Sequence, residues 1–104
     1  MNDFQRECMQ VCQEVLSKKS LESYAFQQIE GREETYLVAE LLIKGELYKI
    51  YIYDDEAGLM IGKQWIHCER ADFRSSEELI AAFARVLTNK FPRTGFINGI
   101  GIPP

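Results

Sequence analysis

Between Thr35 and Tyr53 apolar side chains run along both sides of the dipeptide Lys44-Gly45, and this pattern restricts the fold more than any other part of the chain. A two-residue turn at that dipeptide makes a β-hairpin that pairs Leu42 with Leu47, Glu40 with Lys49, Val38 with Tyr51 and Tyr36 with Tyr53. Successive strand residues point to opposite faces, so Leu37, Ala39, Leu41, Tyr48, Ile50 and Ile52 gather on the other side. Both faces of the hairpin are therefore apolar. One serves as the core of a small domain. The other carries tyrosines, leucines and a single opposed ion pair, and a face of that kind calls for a cover.

The two flanks of the hairpin read differently. Phe4, Cys8, Val11, Cys12, Val15 and Leu16 recur at helical spacing, which predicts a helix over residues 3–17 capped by Asn2, with Gln5, Arg6, Gln10, Gln13 and Glu14 on its polar face. Residues 21–29 turn strand-like. A loop through Glu30-Gly31-Arg32-Glu33 places Phe26 opposite Leu37 and Tyr24 opposite Ala39 on the core face, and leaves Ala25, Gln27 and Ile29 on the face of Tyr36 and Val38.

After the hairpin, residues 54–58 form a turn by composition, and residues 59–69 read as one strand with a bulge at Gly62. Opposing Tyr53 with Met60 and Ile52 with Ile61 avoids facing Lys49 with Lys63. Ser75-Ser76-Glu77-Glu78 is a capping-box sequence, and Leu79, Ile80, Phe83, Val86 and Leu87 form the stripe of the helix it opens. Asn89, Lys90 and Pro92 stop that helix. The expected fold is an α+β two-layer sandwich: about four antiparallel strands, two helices on one face in the order α-β-β-β-β-α, and an extended tail. Residues 1–92 form the domain and residues 93–104 the apolar, glycine- and proline-containing tail.

Composition narrows the function by exclusion. A length of 104 residues supports one core, and 46% hydrophobic with 27% charged residues disfavours disorder. A net charge of -4 leaves no evident basic surface for nucleic acid. Met1-Asn2-Asp3-Phe4 lacks the basic and apolar segments of a secretory signal, and no stretch is long enough to span a bilayer. Three cysteines do not make a disulfide framework and suit a reducing compartment, so a cytoplasmic location is expected.

The candidate chemistry is sparse. Cys8, Cys12, His67 and Cys68 suggest zinc, yet His67 and Cys68 are adjacent on a strand and point apart, and the same geometry opposes a thiol–imidazole pair. Asp54, Asp55 and Glu56 lack the spacing of a calcium loop. Gly95, Gly99 and Gly101 follow no strand and open no helix, which removes a phosphate loop. No catalytic residue, metal or cofactor is implied.

What remains is the second sheet face: Tyr36, Val38, Glu40, Leu42, Leu47, Lys49, Tyr51 and Tyr53, with Met60 and Ile66 beside them. Tyrosine suits an interface because its ring buries area while its hydroxyl stays near water. Three covers are open: the tail through Phe96, Ile97, Ile100 and Ile102, another chain, or a ligand, and the first two coexist if tails exchange between subunits. The expected function is a non-enzymatic interaction domain of adaptor, chaperone or inhibitor type, acting as a homodimer through this face. The alternative is a ligand-binding or catalytic domain with a pocket between sheet and tail that uses Tyr51, Tyr53, Trp65 or His67. Single-stranded nucleic acid stacked on the tyrosines lacks a basic groove. Acidic, dimeric secretion chaperones share flanking helices and an antiparallel sheet, a likeness of architecture without a shared motif.

Overall fold

Residues 1–93 are described by the computed structural model of the chain, in the order α1 (Asp3–Lys18), β1 (Gln27–Glu30), β2 (Thr35–Ile43), β3 (Glu46–Ile52), β4 (Ala57–Ile61), β5 (Gln64–Cys68), a short 3-10 turn (Arg70–Asp72) and α2 (Ser76–Lys90). The five strands form one antiparallel meander, β1-β2-β3-β4-β5, with both helices on one face. This is an α+β fold, with five strands where about four were expected. The tail residues Phe96, Ile97, Ile100 and Ile102 lie outside the described residues.

Each helix buries side chains one turn apart. Cys8, Cys12 and Leu16 from α1, and Leu79, Phe83 and Leu87 from α2, are each 0% exposed. They meet Leu37, Ala39, Ile50, Ile52 and Leu59 of the sheet, so the side of the hairpin assigned to the core is the core. Tyr24 and Phe26 pack at its margin. Burying a large aliphatic or aromatic side chain contributes about 1.5–3 kcal/mol, so these rows supply much of the drive to fold.

The caps hold the helix starts. Asn2 Oδ1 accepts from the Gln5 backbone N–H at 2.8 Å, and Gln5 Oε1 accepts from the Asn2 N–H at 3.0 Å. Gln5 is not on the polar face: it is 3% exposed, and its Nε2 donates to the Thr35 carbonyl at 3.2 Å, tying α1 to β2. At α2 the Ser75 hydroxyl accepts from the Glu78 N–H at 3.2 Å, without a reciprocal bond from Glu78.

The central hairpin has the expected register: Val38 opposes Tyr51, Glu40 opposes Lys49 and Leu42 opposes Leu47. Lys44 and Gly45 both adopt positive φ, 51° and 82°, the mirror-image turn whose twist matches the strands. The outer strands differ from expectation. Leu37 faces Gln28 rather than Phe26, because Glu30 pairs with Thr35 and the Gly31 N–H donates to the Glu34 carbonyl at 2.9 Å, which moves a loop of the same length one residue along the chain. The expected register would have set Glu30 against Glu33. The slide is by two residues, so Gln27 and Ile29 keep the expected face.

Residues 59–69 are not one bulged strand. Gly62, at φ 59°, begins a turn that folds Gln64–Cys68 back on Ala57–Ile61. The preceding turn is also tighter than expected, since the Tyr53 N–H donates to the Glu56 carbonyl at 2.8 Å. Ile52 therefore meets Ala57 rather than Ile61, and Lys49 meets Met60. Ile66 pairs with Leu59 on the core side, and Trp65 and His67 take the place expected for it on the second face.

Cys8, Cys12 and Cys68 are free and buried. Burial, then the nearby Glu7 and Cys68, pushes the Cys8 thiol from 9.0 up to about 12, and burial raises Cys12 and Cys68 as well. A folded-state thiol pKa above its unfolded value stabilises the fold below the unfolded pKa and loses that contribution as pH rises toward the folded one. Urea unfolding should therefore show stability falling from about pH 9 toward pH 12. Below that window a thiol-specific disulfide reagent should modify the native cysteines far more slowly than the unfolded ones; equal rates would contradict the buried placement.

Candidate interaction surface

The second sheet face is built from cross-strand rows. One runs Gln27, Val38, Tyr51, Gly58, His67, and the next runs Glu40, Lys49, Met60, Trp65. Leu42 and Leu47 pair at the far end. Gly58 leaves a gap between Tyr51 and His67, and rings lean into it. A Cβ at Gly58 would stand 3.0 Å from the Ile66 carbonyl oxygen and 3.1 Å from both His67 Cδ2 and Trp65 Cη2.

Around that gap four rings form a closed circuit. Tyr51 lies parallel to Tyr53 with centroids 6.0 Å apart, and Trp65 stacks on His67 at 5.3 Å. The two pairs meet edge to face, Tyr51 with Trp65 at 5.2 Å and Tyr53 with His67 at 6.1 Å. Tyr36 joins through Tyr53 at 5.2 Å. Each such contact adds roughly 0.5–1.5 kcal/mol beyond area burial, so the rings form a mutually packed, half-buried plate. Burial, reinforced by Tyr51, Tyr36, Glu34 and Glu56, raises the Tyr53 hydroxyl pKa.

The opposite end of the face is aliphatic and barer. Leu42 is 73% exposed and Leu47 39%, while Trp65 at the β5 border is 42% exposed. Between the two ends sits the one acid–base pair expected there, Lys49 Nζ to Glu40 Oε2 at 3.5 Å. An exposed pair of this kind adds at most about 1 kcal/mol, so its value lies in charge placement.

His67 is bracketed by carboxylates. Its Nε2 lies 3.3 Å from Glu56 Oε1, enclosed and without a hydrogen bond, and its Nδ1 lies 3.6 Å from Glu69 Oε1. The other Glu56 oxygen accepts from the Arg70 N–H at 3.2 Å. Because the two carboxylates flank opposite ring nitrogens, they do not converge on one ion. Cys68 points into the core while His67 points to the second face, so no thiol–imidazole pair is assembled. Among the described residues, no group of three or more His, Cys, Asp or Glu is placed to hold a metal ion.

An open groove of about 960 Å³ lies elsewhere, along α1 and residues 21–26, with Met1, Met9, Tyr24 and Phe26 on its wall. None of the second-face residues line it. The structure thus brings Tyr36, Tyr51, Tyr53, Trp65 and His67 together, and leaves Glu40, Leu42, Leu47 and Lys49 at the other end of the same surface. Gly58, Glu56 and Glu69 complete the ring cluster; Glu56 was read only as part of an acidic turn, and neither Gly58 nor Glu69 was assigned to this face. Gly58 carried a signal in principle, as a glycine between apolar strand residues marks close approach by a neighbour.

Compared with family models, with curated proteins and with solved structures, the chain finds no match. Function is therefore argued from the surface itself.

Gly58→Ala should force Trp65 and His67 off the sheet. We expect a loss of roughly 1–3 kcal/mol in urea unfolding and a red shift of the single tryptophan's emission. An unchanged spectrum and stability would mean that the rings do not close over this glycine.

Proposed function

We propose that the chain is a non-enzymatic protein-interaction domain, of adaptor, chaperone or inhibitor type, that works as a homodimer with its second sheet face in the contact. One observation carries this reading: the face away from the helices holds an aromatic plate beside Leu42, Leu47 and Trp65, which are 73%, 39% and 42% exposed. Apolar surface gathered this way marks association sites, and exposed tryptophan and tyrosine are the residues that most often anchor them.

The occupant the charges favour is a second copy. An acid and a base sit side by side at the centre of the face, Glu40 and Lys49, and Glu56 and Glu69 flank His67 at its β5 border, so a second copy related by a two-fold axis can set unlike charges against each other. Free, buried cysteines are in keeping with a cytoplasmic setting. Among the described residues, no helix is long and apolar enough to cross a membrane.

The ligand-pocket alternative draws less support. Trp65 and His67 lie against each other and against Tyr51 and Tyr53, which spends their ring faces on mutual packing.

Sedimentation equilibrium at tens of micromolar should give twice the 12.0 kDa chain mass. Trp65→Glu should weaken self-association by at least about tenfold while the circular dichroism spectrum is kept. A monomer at that concentration, with amide exchange showing the face hydrated, would overturn the reading.

A further inference from the structure

The outer edge of β5 has no strand beside it among the described residues, since β5 ends the sheet. Its pairing with β4 decides which backbone groups face outward. The Tyr53–Glu56 and Leu47–Gly62 bonds place the even-numbered residues of β4 toward β3, which turns Ala57, Leu59 and Ile61 toward β5. Their partners Cys68, Ile66 and Gln64 bond inward, and the N–H and C=O groups of Trp65 and His67 are left on the free edge.

Natural edges are blunted by proline, bulges or charges within the strand. Gln64–Cys68 has none of these, and it presents a tryptophan that is 42% exposed. The other edge is different: in β1 the side chains of Gln27, Gln28 and Glu30 are polar and exposed.

We infer that β5 is the joint of the homodimer, pairing antiparallel with β5 of a second copy about a two-fold axis at Ile66. This rests on the homodimer reading and narrows it, moving the contact to the β5 border of the second face and leaving Glu40, Lys49, Leu42 and Leu47 outside the joint. The register follows from charge. Trp65 opposes His67 of the other copy and the reverse, so their outward groups exchange about four backbone hydrogen bonds. Lys63, just before the strand, then opposes Glu69, just after it, at both ends of the joint.

Sliding the pairing by one step in either direction loses this match. One slide sets Trp65 against Trp65 and Lys63 against His67; the other sets His67 against His67 and Trp65 against Glu69. Only the central register gives two unlike charge pairs, with indole facing imidazole between them. Trp65, His67 and Glu69 lie on the second face, so the aromatic plates of the two copies adjoin and the meander runs on into a sheet of twice the width.

Charge exchange tests this in the full chain. Lys63 and Glu69 are both exposed and outside the core; Glu69 also lies 3.6 Å from His67, and the double variant separates loss of that contact from loss of the joint, because only the joint is restored in it. Sedimentation equilibrium of Lys63→Glu and of Glu69→Lys should each show dimer dissociation at least about tenfold easier, because like charges then meet at both ends. The double variant K63E/E69K should return to within about threefold of the parent. Within one chain these residues stand about 20 Å apart along the strand, so rescue cannot come from an intrachain pair. A parent dimer indifferent to the single changes, or a double variant as weak as the singles, would overturn the joint while leaving the homodimer standing. A monomeric parent would remove both.

Discussion

Two helices are enough to cover one face of this sheet, and the rest of the molecule is shaped by that limit. Cys8, Cys12 and Leu16 from α1, with Leu79, Phe83 and Leu87 from α2, fill the side on which Leu37, Ile50, Ile52 and Leu59 project. Nothing among the described residues provides a second layer. A strand cannot be apolar on both sides without creating surface on the uncovered one, and here the uncovered side received tyrosines, a tryptophan and leucines. The rings partly solve this by packing on one another across Gly58. Leu42 has no such neighbour and stays 73% exposed.

Where the sequence could be read, the signal was local and doubly determined. Lys44-Gly45 set a turn, alternation set two faces, and the Glu40–Lys49 opposition fixed the register between them, so three independent constraints agreed. The helices were legible for the same reason, with caps and stripes in agreement. Gln5 escaped because its residue type suggested solvent, whereas the capping box turns its amide inward to the Thr35 carbonyl.

The edges of the sheet were less legible because single constraints acted there. Gly62-Lys63 is a weaker turn signal than an asparagine–glycine pair, and the apolar residues on either side of it, Leu59-Met60-Ile61 and Trp65-Ile66, mask it. Strand length was the overlooked clue, since residues 59–69 would exceed a usual strand by about twofold. Folding that run in two added β5 and turned Ile66 to the helix side of the sheet, opposite Leu59. It also brought Trp65 and His67 onto the second face beside Tyr51 and Tyr53. The carboxylates of Glu56 and Glu69 reach His67 from beyond the ends of two different strands, a juxtaposition that no linear spacing encodes.

The exposed face and the open edge are one problem rather than two. Trp65 and His67 supply both: their rings complete the aromatic plate, and their backbone groups are those left unpaired along β5. A cover laid only on the face would leave the edge amides to water. A cover at the edge alone would leave Leu42 and Leu47 bare. In the proposed dimer the edge is satisfied by an identical strand, and the two plates become adjoining parts of one surface whose aliphatic ends lie farthest from the joint. Such a surface is long and largely apolar, with Glu40 and Lys49 paired in each half and Glu56 and Glu69 beside His67 toward the joint. Under the proposed adaptor, chaperone or inhibitor role, the apolar ends that the joint does not reach are the part of each copy left open to another protein.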